Sequence, residues 1–158
     1  MNHKTTLKIL AQRKLRAGEV ADVTFVPPLL RRRLSPLQRI FFYLARMEGY
    51  PMPKNVVFAS QDGEDTLSRK TVEAFNVDGG VSPQRFSTSV YNAAPGLWSV
   101  FTGNTAPYTA IAAGKETVKR GVYEAIHADA FPTLFVYADE TGGGHGFSIL
   151  YDRVTCLL

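Results

Sequence analysis

The chain has 158 residues, which suits one domain with a normal core. Hydrophobic residues at 45% and charged residues at 20% describe an ordinary soluble globular protein, and no apolar run approaches the ~20 residues that cross a bilayer. The formal charge is +4, with much of the excess in Lys4, Lys8, Arg13, Lys14, Arg16, Arg31, Arg32, Arg33, Arg39 and Arg46. Such a surface steers acidic partners towards it, and nucleic acid or an acidic carrier protein would satisfy the same charge. There is no zinc-ligand set, no RNA-binding aromatic signature and no obvious helix-turn-helix, yet charge alone does not choose between these partners, and a solvated basic face with no partner stands equally beside them. The N-terminus lacks the apolar stretch of an export signal, and a single cysteine, Cys156, cannot form an internal disulfide. Both features point to a reducing cytoplasm.

In chain order, residues 5–10 alternate weakly as a first strand, and Val20–Val26 reads as a short extended piece stopped by Pro27-Pro28. Ser35-Pro36 is an N-cap followed by a first-turn proline. The helix it opens carries Leu37, Ile40, Phe41, Leu44 and Ala45 at 3.6-residue spacing and closes at Gly49. Asn55–Ser60 is a short apolar strand ending in a polar turn. Thr66 to about Phe75 reads as a helix with Leu67, Val72 and Phe75 inward, and the segment around Val90–Phe101, with Trp98, as another. Tyr108–Ala113 is a buried strand, Lys115 to about His127 a helix, and Thr133–Ala138 a second buried strand. Gly146–Asp152 is a last strand reached through the glycine loop Thr141–His145, too short for a crossover, so these two strands pair antiparallel. Strands alternating with helices predict an α/β domain, residues 1–158, with a mixed, mainly parallel sheet covered by helices and an antiparallel last strand.

The passage Val81–Gly114, with Ser82-Pro83, Asn92, Gly96 and the turn Gly103–Pro107, resembles the segment of β-ketoacyl synthases that leads into the strand before the catalytic cysteine. Val56–Ser60, Thr133–Glu140 and Gly144–Asp152 resemble later and earlier strands of the same half-fold. The runs Val26-Pro-Pro-Leu-Leu-Arg-Arg-Arg-Leu-Ser35 and Ser89-Val-Tyr-Asn-Ala-Ala-Pro-Gly-Leu-Trp-Ser99 are similar to stretches of the small β-ketoacyl-synthase-like N-terminal-domain proteins of aryl polyene and related type II pathways. The resemblance spans roughly residues 28–152 and implies one N-terminal-type half of the thiolase-like fold. It also implies a chain-length-factor-like role, in which a subunit without a nucleophile pairs with an active ketosynthase as a heterodimer.

The catalytic groups of that family are missing. Alignment through Pro107 puts Lys115, to within one residue, at the nucleophile position, and a lysine cannot carry a thioester. The family's helper histidines belong to a second half of the fold. Cys156 sits in an apolar tail that raises a thiol pKa, which disfavours it as a nucleophile. His3, His127 and His145 are too scattered to propose a metal site. His3 reads as a loose terminus, His127 as a helix-end cap and His145 as part of a hairpin turn. Ala113–Glu116 lacks the glycine spacing and hydroxyl of a phosphate loop. No cofactor and no catalytic residue are expected.

By the resemblance, the strand Tyr108, Thr109, Ala110, Ile111, Ala112 and Ala113, with Asn92 and Trp98, faces the partner subunit. Arg31, Arg32 and Arg33 are candidates for contacting an acyl carrier protein, or equally for shaping the helix entry. Trp98 reads equally well as core, like Phe101, Phe58 and Phe135. Two other function classes stand beside this reading: an acyl-thioester enzyme using unconventional residues, and a basic scaffold that binds nucleic acid.

Overall fold

Ser35 and Pro36 open a helix as the sequence predicts. The computed structural model describes the backbone of residues 3–157 and the side chains of residues 6–154. In helix α2 (Pro36–Ala45), which follows the single turn α1 (Pro28–Arg31), the Gln38 N–H donates to Ser35 Oγ at 3.0 Å. The Ser35 N–H returns to Gln38 Oε1 at 3.0 Å, closing a capping box. Leu37, Ile40, Phe41, Leu44 and Ala45 are all buried, as the 3.6-residue spacing requires. The helix ends earlier than Gly49, at an extended Arg46, and Gly49 takes φ +79° in the turn beyond. Ser35→Ala should cost about 1–2 kcal/mol, because it removes a buried cap and frees Gln38, and thermal denaturation would register it as a drop of a few degrees.

Five strands form one sheet in the order β1-β5-β4-β2-β3. They are β1 (His3–Leu15), β2 (Asn55–Ala59), β3 (Tyr108–Ile111), β4 (Thr133–Asp139) and β5 (His145–Leu157). β2 pairs parallel with β3 and with β4, while β5 pairs antiparallel with both β4 and β1. Four strands therefore share a direction and β5 alone opposes them, which is the mainly parallel sheet with an antiparallel last strand that was expected.

Helices cover both faces. On one, α2 and α5 (Ala93–Thr102) bury an aromatic cluster in which Phe41 meets Phe58 edge-on at 5.2 Å and Trp98 at 6.4 Å. On the other, α6 (Thr117–Ile126) lies over Val57, Ala59 and Phe135. It comes close because Gly121 faces the sheet: a Cβ there would stand 2.7 Å from the Phe135 ring and 2.9 Å from the Ala59 methyl.

Several expectations are corrected. Val20–Val26 is not extended: Asp22 Oδ1 accepts from the Thr24 N–H at 2.9 Å, the Val26 N–H reaches the Val23 carbonyl, and the turn buries Val23 and Val26. The first strand is 13 residues long and starts at His3, so His3 begins β1 rather than trailing loose. Its charges hid the length, since Lys8 and Lys14 sit on a strand at the sheet's edge, where solvent accepts them. Helix α3 runs over Asp65–Asp78 and closes on Gly79 at φ +68°, and its Val72 and Phe75 are 59% and 57% exposed rather than inward. A further helix, α4 (Pro83–Ser89), opens on Ser82-Pro83 with the same N-cap-and-proline signal as α2. Strand β3 stops at Ile111 and is exposed to half-buried along its length rather than buried. The expectation for the Cys156 thiol falls on a side chain outside the described residues.

Candidate partner edge

β3 is one of the two edge strands of the sheet, β1 being the other. The Val56 N–H takes the Pro107 carbonyl at 3.0 Å and the Ser60 N–H takes the Ile111 carbonyl at 3.2 Å, so odd-numbered residues of β3 bond inward to β2. By the alternation of a strand, the backbone groups of Tyr108 and Ala110 point outward, unpaired within the sheet. The Tyr108 ring lies over α5, where a Cβ on Gly96 would stand 3.2 Å from its hydroxyl. Glycine at that helix position lets the edge strand dock closely on α5.

Beyond β3, Ala112 and Ala113 are exposed and lead into a tight turn at Gly114–Glu116. Gly114 has φ +52°, a conformation that side chains resist. Thr117 Oγ1 accepts from the Ala113 N–H at 2.9 Å and donates to the Gly114 carbonyl at 2.7 Å, which fixes the turn. Lys115 projects from it into solvent, and the neighbouring Glu116 pairs with Lys119 at 3.2 Å. The outer face of α6 carries exposed Lys119, Arg120, Tyr123 and Glu124, a water-facing surface.

The carboxyl ends of β2, β3 and β4 meet at a polar knot. Asp139, 2% exposed at the end of β4, accepts from Ser60 Oγ at 2.6 Å and from the N–H groups of Gln61 and Asp62 at 2.9 and 3.1 Å. The Gly63 N–H donates back to Ser60 Oγ at 2.9 Å, and the Thr141 hydroxyl donates to Asp62 Oδ2 at 2.6 Å. Gly63 takes φ +62° with the Tyr91 ring against it, and the Tyr91 hydroxyl donates to the Ile111 carbonyl at 3.0 Å. Burial pushes the Tyr91 hydroxyl up to about 12, so it stays a donor at any ordinary pH. Because the chain leaves β2 towards β3 and returns to β4 on the other side, this is the crevice where sheets of this kind bind ligands. Here the protein's own carboxylate and hydroxyls fill it. The turn Ser60–Glu64 and the pair Asp139-Glu140 were the sequence signals for this knot, and neither spacing resembles a binding motif.

The other candidate residues separate. Asn92 is exposed at the start of α5 and makes no side-chain cap bond. Trp98 is 5% exposed inside the core, in the cluster against which Ala110 of β3 packs. Arg31 is half-buried, donating to the Thr24 carbonyl at 3.3 Å, and its own carbonyl accepts from Arg39 at 2.7 Å, so it shapes the helix entry. Arg32 and Arg33 are exposed and make no ion pair among the described residues. His127 caps α6, with Nδ1 2.8 Å from the Tyr123 carbonyl, and His145 starts β5 beside Tyr137 in the hairpin. Among the described residues no group of three or more histidines, cysteines or carboxylates is placed to hold a metal, and no helix is long and apolar enough to cross a membrane.

The sheet order, the lone opposing strand and the turn from β3 into α6 define half of a thiolase-like, ketosynthase-type fold. Residues 8–143 match the family model described as the β-ketoacyl synthase N-terminal domain, and the chain belongs to that family. Among solved structures it is similar to a chain in "Ketosynthase (ApeO) in Complex with its Chain Length Factor (ApeC) from Xenorhabdus doucetiae". That likeness has a TM-score of 0.81 and covers 93% of this chain and 79% of that chain, at 19% sequence identity. At such identity it is the fold that is shared. No curated protein matches.

Proposed function

We propose that this chain, acting as one unit over residues 1–158, is a non-catalytic, chain-length-factor-like subunit that pairs with an active ketosynthase. The observation that carries this reading is the turn at the head of α6. The family's nucleophile position holds Lys115, water-facing, directly after a sheet edge that is left unpaired. An edge strand with outward backbone groups is a template for another strand, and a partner with the same fold offers one. The similar solved structure is that of a ketosynthase in complex with its chain length factor, which supports the same arrangement here. In this role the chain completes a heterodimer and shapes the pocket that limits a growing acyl or polyene chain in a cytoplasmic type II pathway of the aryl polyene kind. Arg32 and Arg33 offer free cations to an acidic acyl carrier protein.

Co-expression with a ketosynthase encoded beside it, followed by size-exclusion chromatography, tests the reading. The two chains should co-elute, and condensation by the complex should survive Lys115→Ala unchanged. Loss of condensation with Lys115→Ala, or labelling of this chain alone by the ketosynthase inhibitor cerulenin, would instead make it an acyl-thioester enzyme. A chain that stays alone beside the ketosynthase would remove the partner role.

A further inference from the structure

α3 and α4 form an arm, residues 65–89, that packs chiefly on itself. Only Thr71 of α3 is buried, no residue of α4 is, and Val72, Phe75 and Phe86 are exposed. What holds the arm to the body is a short list of polar contacts. Gln38 of α2, fully buried, donates its amide to Glu64 Oε1 at 2.8 Å and to the Thr88 carbonyl at 3.1 Å. The Thr66 N–H, in the first turn of α3, donates to Glu140 Oε1 after β4. Glu64, 2% exposed, and Glu140 therefore sit at the root of the arm, and each keeps its second carboxylate oxygen buried without a hydrogen-bond partner.

Two buried carboxylate oxygens without donors are costly if both groups are ionised. A proton on Glu64 removes one of the two charges from the root of the arm. We propose that Glu64 holds a proton in the folded chain, and that this proton latches the α3–α4 arm to the body, so that its loss releases the arm. This inference stands independently of the partner reading.

Among the described residues no cation forms an ion pair with Glu64 or Glu140. From α2, Glu64 faces the neutral Ser35 and Gln38, and from α4 only the Thr88 carbonyl. In its own loop, Asp65 is taken by Arg69 at 2.6 Å and Asp62 by the Thr141 hydroxyl. Asp139, behind the loop, is already satisfied by three donors. Arg39 and Glu19 line a crevice with Glu140, but the Arg39 guanidinium is committed to the Leu34 and Arg31 carbonyls. Burial, reinforced by the Glu140 charge, pushes the Glu64 carboxyl from 4.5 up to about 7. The sign follows from linkage: the latched state holds the proton more tightly than the released one. The latch is therefore strongest in acid, weakens as pH rises from 4.5 to about 7, and changes little above that.

Hydrogen-exchange mass spectrometry on the whole protein reads this directly, with rates corrected for the intrinsic pH dependence of exchange. Amides of residues 66–89 should lose protection by roughly fivefold between pH 6 and 7, while those of β2 and β4 hold theirs. Glu64→Gln should abolish that pH response, because the amide donates permanently. Glu140→Gln should make it shallower and move it to lower pH, and reads the latch should the first variant fail to fold. A pH-independent arm in the wild type, or an unchanged response in both variants, would overturn the proposal.

Discussion

Gly146→Ala should lower the melting temperature by roughly 10 °C, the largest loss expected from adding a single methyl group to this chain. Gly146 lies in β5 opposite Ala138. A Cβ built there would stand 2.3 Å from the Tyr137 carbonyl oxygen, 2.8 Å from Leu44 Cδ1 and 3.0 Å from Ala138 Cα. Two of those neighbours are backbone of the adjacent strand, which cannot swing aside as a side chain does. The third is a fully buried leucine on α2. The backbone angle at Gly146 is ordinary, so the effect tests space alone. Overpacking usually costs ~1–3 kcal/mol, and a backbone clash belongs at or beyond the upper end. At about 2–4 °C per kcal/mol for a domain of this size, circular dichroism melting resolves the change easily. Gly80, which has open space around it and no positive φ, is the matched control, and Gly80→Ala should leave the melt essentially unmoved. Equal melts for the two variants would mean that β5 and α2 do not approach as closely as described.

This position also shows what the sequence could and could not reveal. The glycine loop before β5 was legible as a hairpin, because a few residues cannot make a crossover. That Gly146, at the start of β5, is a spacer between a strand carbonyl and α2 was not, since only the pairing of β4 with β5 and the packing of α2 bring Tyr137 and Leu44 against it. The same holds for Gly121, set against Phe135 and Ala59. Helix α2 was readable because its cap, proline and apolar stripe all lie within a dozen residues. Helix α3 misled for the opposite reason: its stripe of Val72 and Phe75 suggests burial, yet no element packs over it. Helix α4 carries the Ser-Pro start of α2 but no apolar stripe to extend it, so only the first half of the signal was present. At the candidate site, the expectation that no nucleophile is present rests on Lys115 and the resemblance, and the fold itself does not bear on it. The polar knot around Asp139 was not legible, because Ser60 and Asp139 are brought together only by the pairing of β2 with β4.

Ala110→Pro should abolish co-elution with a ketosynthase partner while leaving the isolated chain folded. Its N–H points away from β2, so a proline ring there removes no hydrogen bond from the sheet, and prolines are tolerated on such edges. A strand laid along β3 would instead lose that N–H as a donor and meet the ring in its path. Losing one or two edge hydrogen bonds at about 1 kcal/mol each, together with the steric conflict, weakens a complex by about 100-fold or more. Thr109→Pro is the informative contrast. By alternation its N–H bonds inward to β2, so this variant should damage the sheet itself and lower the melting temperature. The pair separates an interface defect from a folding defect, which neither variant does alone. If Ala110→Pro co-elutes as well as the wild type, the partner does not extend the sheet at β3. Other exposed apolar patches, Val72, Phe75 and Phe86 of the arm or Leu7 and Ile9 of β1 with Val122 of α6, would then have to supply the contact.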